Sequence, residues 1–326
     1  MLISQTPLRM SFVGGGSDIP AFYLKHGGAV VSTAIDKYVY LTLSEKFDSK
    51  LRVSYSQTEE VDSARDVHHP LVRQSLLHLE IEGGLEITSV ADIPSRGTGL
   101  GSSSSFTVGL LHVLHAWKGR YVSSETLASQ ACQIEIERCG EPIGKQDQYA
   151  AAYGGFNFIE FLEDDSVRVS PIICPRNTLA QLESELLIFY TGITRSASEL
   201  LRRQQTAMTK DPRVADCVVK MVQLAHSLRD ELQNNNLSTF GGILHESWLL
   251  KKGITTGIAT SEIDVWYDQA RNAGATGGKI LGAGSGGFLL FHAPPDAHAS
   301  IRRALSPLRE VKMQFDSRGS RIIFVS

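Results

Sequence analysis

Apolar residues follow strand spacing in the first half of the chain and helical spacing through much of the second half. Runs rich in Val, Ile, Tyr and Thr predict strands at residues 29–35 and 38–44, and Asp36 with Lys37 predicts a hairpin between them. The other strands predicted here cover residues 85–90, 156–161 and 167–173. Apolar residues at helical spacing predict helices over residues 106–117, 124–139 and 144–153.

The second half begins with a buried-looking strand at residues 186–190. Helices are predicted over residues 196–209, 214–232, 239–250, 263–273 and 298–305. A glycine-containing hairpin is predicted at 277–292, and closing strands at 311–315 and 321–325. Because strands and helices mix without a regular βαβ repeat, the pattern favours an α+β fold. We expect two domains, residues 1–180 and 181–326, with the boundary between about 175 and 185.

Composition narrows the class of protein only slightly. The 326 residues are 42% hydrophobic and 21% charged, and a net charge of −3 argues against nucleic acid or an anionic membrane as partner. We expect neither a signal peptide nor a membrane span. The cysteines form no close pair for zinc or redox chemistry and fit a reducing cytoplasm; they are Cys132, Cys139, Cys174 and Cys217.

A glycine- and serine-rich segment is the strongest chemical signal. Gly97, Gly99 and Gly101 alternate and run into four serines, residues 102–105, at the start of a predicted helix. Free N–H groups and the helix dipole favour an anion there, and glycine lets the backbone come close to it. No Lys-Ser or Lys-Thr pair follows, so this is not a Walker loop. A plain helix cap is the alternative, and a serine nucleophile has less support because G-x-S-x-G is absent.

Three further segments combine chemistry with a simpler explanation. Residues 6–18 place Arg9 before a glycine turn that ends at Asp18, although an ordinary turn is the alternative. Residues 135–148 contain Asp147 in the first turns of a predicted helix, where a dipole-matched surface carboxylate is the alternative. Residues 277–288 are dense in glycine and permit close approach either to a ligand or to another loop.

Together and in this order, the four segments resemble the signatures of the GHMP small-molecule kinases, the superfamily that includes galactokinase and mevalonate kinase. A proline followed by residues 99–103 is similar to the phosphate-binding signature of that superfamily. Residues 140–148 are similar to the segment with the catalytic aspartate, and residues 279–287 to the third motif. Within the superfamily, the resemblance is closest to the D-glycero-D-manno-heptose 7-phosphate kinases, through residues 6–9, 14–18, 144–155 and 190–196.

The resemblance implies a fold and an activity. The fold would be the two-domain kinase fold, with a ribosomal protein S5 domain 2-like N-terminal domain and a ferredoxin-like C-terminal domain. The activity would be ATP- and Mg²⁺-dependent phosphoryl transfer to the anomeric C1 hydroxyl of a sugar phosphate, in nucleotide-activated heptose synthesis. Residues 51–73 would contribute to the adenine pocket.

The resemblance also implies residue roles. Asp147 would accept the hydroxyl proton, with Arg9 beside it to stabilise transferred charge. Ser103 and Glu135 would hold Mg²⁺, with Glu137 as the alternative to Glu135. The ATP phosphates would contact Gly97, Gly99, Leu100, Gly101, Ser102, Ser103 and Ser104. The substrate would contact Gly15, Gly16, Ser17, Asp18, Gly144, Arg195, Gly284, Ser285 and Gly286. Arg195 would bind a terminal phosphate, with Arg202 and Arg203 as further candidates.

Several alternatives stay open at this point. Galactokinases have Gly-Glu-His-x-Asp where this chain has Gly-Gly-Gly-Ser-Asp at residues 14–18, which argues against galactose as the substrate. A kinase of an unphosphorylated sugar, such as L-fucose or free heptose, is the main enzymatic alternative. A sugar- and ATP-binding sensor without catalysis is the non-enzymatic one. The sequence leaves a homodimer open.

Overall fold

The computed structural model describes residues 1–93, 97–194 and 197–326. Its strands, in chain order, are β1 Leu2–Val13, β2 Gly28–Glu45, β3 Leu51–Ser54, β4 Thr58–Val61, β5 Leu85–Ala91, β6 Phe156–Phe161, β7 Val167–Pro171, β8 Leu186–Tyr190, β9 Gly277–Ile280, β10 Phe288–His292, β11 Arg309–Glu310 and β12 Arg321–Val325. The α-helices are α1 Pro20–His26, α2 Pro70–His78, α3 Ser102–Trp117, α4 Ser124–Cys132, α5 Gln146–Tyr153, α6 Arg176–Ser184, α7 Ala197–Lys210, α8 Pro212–Gln233, α9 Phe240–Lys252, α10 Ser261–Asn272 and α11 His298–Ala304.

The strand β2 organises the larger sheet, whose order is β12-β1-β2-β5-β3-β4. One edge of β2 pairs with β1, while its other edge pairs first with β6 and then with β5. All of these ladders are antiparallel, and β3 and β5 are the one parallel pair among the described residues. The apolar helix α3 packs on β1 and β2, so the start of α3 is held at a fixed place above the sheet.

The predicted hairpin at Asp36 and Lys37 is wrong, because β2 runs through both residues as one strand of 18 residues. The register with β1 shifts there, from Pro7 opposite Tyr38 to Leu8 opposite Ile35. This bulge receives the C-terminal segment: the Asp36 amide donates to the Gln314 carbonyl at 2.9 Å, and the Asp36 carboxylate accepts from the Gln314 amide at 2.9 Å. The turn residues therefore mark a bulge at which another part of the chain docks.

The second sheet has the order β11-β8-β10-β9, and its ladders are antiparallel. The predicted glycine-containing hairpin is confirmed as β9 and β10, and the predicted strand at 186–190 is confirmed as β8. The strand predicted at 311–315 is wrong: β11 is Arg309–Glu310, and Phe315 makes only an isolated bridge to Ile35. The last strand, β12, returns to the first sheet and pairs with β1. The domain boundary near residue 180 stays a prediction.

The helix predicted over 124–139 is interrupted. The α-helix α4 begins after Ser123, whose hydroxyl accepts from the Thr126 amide at 3.1 Å, and it ends at Cys132. A π-helical turn, Gln133–Arg138, follows, and the amide of Cys139 donates to the carbonyl of Ile134 five residues back. Such turns often occur at functional sites.

Buried contacts join the second sheet to β1. The ammonium group of Lys279 in β9 donates to the carbonyls of Ser11 and Phe12 at 2.8 and 2.9 Å. The ring of Phe12 also packs edge-on against Phe240 of α9. Across the described ranges, no helix is long and apolar enough to cross a membrane.

Prediction for the fold. The ring of His112 in α3 lies within hydrogen-bonding distance of the Ser320 hydroxyl, at 3.0 Å, and burial lowers the pKa of His112 from 6.5 to about 4. Because the unfolded chain takes up this proton first, the contribution of His112 to stability is full above pH 6.5 and falls as pH drops toward 4. We expect this group to remove up to about 3 kcal/mol of unfolding free energy between pH 7 and pH 4. Urea unfolding at several pH values measures it: His112→Gln should lose this component, and the exposed control His26→Gln should keep it. Equal pH slopes for wild type and His112→Gln would contradict the assignment.

Candidate active site

A cleft of about 870 Å³ lies where the glycine turn after β1, the loop before α3 and the start of α5 meet. Residues from α7 and α9 and from the loop between β9 and β10 complete its wall. Of the residues predicted from the sequence, the cleft is lined by Arg9, Gly15, Gly16, Asp18, Gly97, Gly99, Gly101, Ser102, Ser103, Ser104, Gly144 and Asp147. The topology thus gathers segments that are far apart in the chain.

The centre of the cleft is a two-pronged ion pair between Arg9 of β1 and Asp147 in the first turn of α5. The Arg9 Nε and Nη2 atoms donate to the two Asp147 carboxylate oxygens, each at 2.7 Å. Arg9 Nη1 donates to the Gly99 carbonyl at 2.6 Å, and the Arg9 amide donates to the Leu100 carbonyl at 3.0 Å. Arg9 is only 3% exposed, whereas Asp147 is 24% exposed to the cleft. The guanidinium group therefore fixes both the carboxylate and the neighbouring loop.

The loop before α3 adopts a backbone that its alternating glycines make accessible. Gly97, Gly99 and Gly101 all have positive φ, at 69°, 76° and 75°, and Gly101 directly precedes α3. A Cβ on Gly101 would lie 3.2 Å from an Asp147 carboxylate oxygen. The first turn of α3, with its free N–H groups, therefore begins beside the Arg9–Asp147 pair.

The second glycine-rich segment packs directly on this loop. A Cβ on Gly99 would lie 2.2 Å from the Leu281 carbonyl oxygen, and one on Gly287 would lie 2.3 Å from the Thr98 carbonyl oxygen. Two backbones thus touch with no side chain between them. This supports the loop-packing interpretation of residues 277–288, although Gly282 and Ala283 also line the cleft.

Glu135 lies beneath the loop, on the π-helical turn, and is fully buried. Its carboxylate accepts from the hydroxyls of Ser103 at 3.0 Å, Ser104 at 2.8 Å and Thr107 at 3.1 Å, and from the side-chain amide of Gln148 at 2.5 Å. Burial raises the pKa of Glu135 to about 7, against the effect of these donors. Glu137, the alternative from the sequence, is exposed.

The surroundings of Glu135 fit a magnesium ion. Within the described ranges no lysine, arginine or histidine pairs with this carboxylate, and the Gln148 side-chain oxygen beside it has no hydrogen-bond partner. Mg²⁺ prefers oxygen ligands and commonly uses one or two carboxylates together with substrate phosphates. Glu135 and Ser103 supply oxygens of this kind next to the loop.

The turn after β1 is tied to the start of α5 by Asp18. The Asp18 carboxylate accepts from the Gly16 amide at 2.9 Å and from the Gln146 amide at 3.3 Å. Burial, and then the charge of Asp147, raise the pKa of Asp18. Gly144 leaves room for this contact, because a Cβ there would lie 2.0 Å from an Asp18 carboxylate oxygen. Asp18 thus positions the segment that carries Asp147, in addition to lining the cleft.

Some predicted residues lie away from the cleft wall. Leu100 is buried, and the Ser17 hydroxyl bonds to the backbone of Ala29 on β2. Gly284, Ser285 and Gly286 pack against Ile258 and Ile193, because the Ser285 amide donates to Ile258 and a Cβ on Gly286 would lie 2.4 Å from the Ile193 carbonyl oxygen. Arg202 and Arg203 are exposed on α7. Arg195 lies outside the described residues.

Lys251 of α9 belongs to none of the sequence motifs, yet it is 5% exposed and lines the cleft. Its burial could have been predicted, because helical spacing puts Lys251 on the same face as Leu244 and Trp248, both of which are buried. Residues 51–73 were expected near adenine, and Tyr55, His68, His69, Pro70 and Leu71 do line the cleft.

Comparisons with known proteins identify the family of this chain. The model of the GHMP kinase N-terminal domain matches residues 69–155, and that of the C-terminal domain matches residues 228–307. The chain is 30% identical over 317 residues to the D-glycero-alpha-D-manno-heptose 7-phosphate kinase of Campylobacter jejuni, covering 93% of this chain and 92% of that one. It is 26% identical to the galactokinase of Pyrococcus furiosus, over 95% of this chain and 94% of that one. A crystal structure of a D-glycero-D-manno-heptose 1-phosphate kinase from Bacteroides thetaiotaomicron superposes with a TM-score of 0.82, at 26% identity and full coverage of both chains.

The chain therefore belongs to the GHMP kinase family and has the two-domain fold of that family. Within the family it is an ATP-dependent sugar kinase.

Prediction for the site. Gly144→Ala places a methyl group against the buried Asp18 carboxylate, and such overpacking typically costs about 1–3 kcal/mol. We expect a lower unfolding midpoint in urea and a lower turnover, because the start of α5 must shift. Gly242→Ala in α9 is the control, since nothing lies within 4 Å of its added Cβ. Wild-type stability and turnover in Gly144→Ala would show that the Asp18 contact does not position Asp147.

Proposed function

We propose that this kinase phosphorylates the anomeric C1 hydroxyl of D-glycero-D-manno-heptose 7-phosphate to the 1,7-bisphosphate, with ATP as donor. The observation that carries a phosphotransfer role is the Arg9–Asp147 pair beside the glycine loop, in one cleft. The heptose acceptor is supported by the 30% identity to a heptose 7-phosphate kinase over most of both chains.

The loop before α3 binds the ATP phosphates in this proposal. Residues 97–99 and 101–104 line the cleft at the start of α3, where free N–H groups and the positive end of the helix dipole favour an anion, and the Ser102 hydroxyl adds a donor. The purine would lie toward Tyr55 and Pro70, which form the end of the cleft that residues 51–73 provide.

Glu135 and Ser103 would hold Mg²⁺ against the β- and γ-phosphates. When bound, the ion neutralises charge on the phosphate oxygens. The chain supports it through Ser104, Thr107 and Gln148, which fix the Glu135 carboxylate by hydrogen bonds.

Asp147 accepts the proton of the C1 hydroxyl as that oxygen bonds to the γ-phosphorus, and the bond to the β,γ-bridging oxygen breaks to release ADP. Arg9 fixes the Asp147 carboxylate and contributes positive charge where the transferred group develops negative charge. Since phosphoryl transfer passes through a loose transition state, positioning contributes more than base strength.

The sugar would bind on the side of the cleft that is formed by Gly15, Gly16, Asp18 and Gly144. Arg195 is proposed as the partner of the terminal phosphate of the sugar.

The free thiols of the described cysteines support a reducing cytoplasm as the compartment.

An acceptor panel tests the substrate. ATP consumption is measured with heptose 7-phosphate, free heptose, L-fucose and galactose, and phosphorus NMR locates the new phosphate. We expect the highest kcat/KM for heptose 7-phosphate and a product phosphorylated at C1. Preference for a free sugar would replace the proposed acceptor, and no ATP consumption with any sugar would indicate a binding protein.

Prediction for catalysis. Asp147→Asn keeps the size of the side chain but removes the proton acceptor, so kcat should fall by about 10²- to 10⁴-fold. The dissociation constant for ATP, measured by calorimetry, should stay near the wild-type value. Asp62→Asn, a change at an exposed carboxylate, is the control. A near-wild-type kcat for Asp147→Asn would exclude Asp147 as the general base.

A further inference from the structure

A buried ammonium group in the cleft has no assigned role so far. Lys251 lies in the last turn of α9 and is 5% exposed, yet it lines the cleft. Burying a lysine costs free energy unless its charge meets a partner. The hydrogen bonds of the Lys251 ammonium group therefore decide whether its burial is compensated.

The ammonium group of Lys251 is only partly satisfied by the protein. It donates to the Gly282 carbonyl at 2.6 Å, and an ammonium group has three N–H donors. Among the described residues, no carboxylate lies within 4 Å of its Nζ atom. By contrast Lys252, the next residue, faces outward and pairs with Asp264 at 2.9 Å.

Within the same described ranges, Arg9 and Lys251 are the lysine and arginine side chains that line the cleft. Arg9 already donates to Asp147 and to the Gly99 carbonyl. Lys251 is thus the cation of the cleft that retains donors for a ligand.

The Nζ atom of Lys251 lies near the glycine turn after β1. A Cβ built on Gly15 would lie 3.6 Å from the Ser11 hydroxyl oxygen, 3.7 Å from the side-chain nitrogen of Gln146 and 3.8 Å from Lys251 Nζ. Nζ therefore lies close to the turn after β1, as does the side chain of Gln146, the residue that precedes Asp147. Its bond to Gly282 also places it at the segment that packs on Gly99.

The charge of Lys251 is held in balance. Burial lowers its pKa to about 8, and the nearby charges of Asp18 and Asp147 act in the opposite direction. The group consequently stays mostly protonated at neutral pH. An anionic oxygen entering the cleft would gain a charge-assisted hydrogen bond from it.

We propose that Lys251 is a substrate-binding residue whose ammonium group donates to a phosphoryl oxygen in the cleft. This inference rests on the proposed phosphotransfer function. The oxygen belongs either to the transferring γ-phosphate of ATP or to the phosphate that the sugar already carries.

Three variants of the full chain separate charge from packing. Lys251→Gln removes the charge but keeps a donor for the Gly282 carbonyl, and Lys251→Arg keeps the charge. Lys252→Met is the matched control on the outward side of the helix. Lys251→Met replaces Lys251→Gln if the latter fails to fold, as judged by thermal melting. Removing a buried ammonium group that has no carboxylate partner also removes the cost of its desolvation, so folded protein is expected.

The readouts are kcat, KM for ATP, KM for heptose 7-phosphate and for free heptose, and calorimetric dissociation constants for Mg·ATP and for heptose 7-phosphate. We expect Lys251→Gln to lose about 10- to 100-fold in kcat/KM, Lys251→Arg to recover part of it, and Lys252→Met to match wild type. A loss confined to the KM of heptose 7-phosphate identifies the phosphate of the sugar. A loss with both sugars, in kcat or in the KM for ATP, identifies the γ-phosphate.

Other outcomes overturn the proposal. Wild-type constants in Lys251→Gln, or an equal loss in Lys252→Met, would show that Lys251 does not bind substrate. Failure of wild-type turnover would instead count against the proposed function. The binding constants still test Lys251 in that case, and a wild type that binds neither phosphate ligand overturns the Lys251 proposal as well.

Discussion

The paired hydrogen bonds between Arg9 and Asp147 are the contact on which the active site depends. They join β1 to the first turn of α5, and the third donor of the guanidinium group reaches the carbonyl of Gly99 in the loop before α3. Since Arg9 is buried in the strand β1, the pair cannot move without disturbing the sheet. Under the proposed function, the groups for acceptor activation and for phosphate binding would therefore keep fixed relative positions, as positioning-dependent catalysis requires.

Polar and backbone contacts hold the second sheet against β1 and against the loop before α3. Lys279 of β9 donates to two carbonyls at the end of β1, and the loop that follows β9 lies on the loop before α3 with only glycine between the backbones. Such contacts need small residues and a buried cation in defined places, whereas the apolar cores of the two halves tolerate many combinations of side chains. This explains why the glycine-rich segments stand out in the sequence.

The sequence predicts regular elements and chemistry carried by local motifs, and it fails where distant contacts decide. The strands β6, β8 and β12 lie where apolar runs predict them, because burial and strand length are local properties. The bulge at Asp36 looked like a hairpin, since its partner, Gln314, is almost three hundred residues away. The resemblance implies ligand contacts at Gly284 and Ser285, and in the structure both residues pack against Ile258; glycine density alone cannot say whether a ligand or another loop approaches. Lys251 was overlooked because a lysine pair near a helix end usually faces solvent.

The π-helical turn that carries Glu135 has a consequence for how related chains should be compared. Each closure from residue i to i+5 takes one residue more than an α-helical turn, so the turn behaves as a one-residue insertion inside a helix. Ile134 and Glu135 are both buried in this turn, whereas Glu137 is exposed. Regular α-helical spacing alone does not tell which of the two glutamates faces the interior. In a related chain that lacks the extra residue, the side chain aligned with Glu135 would point about 100° away around the helix axis and would lose the contacts with Ser103 and Ser104.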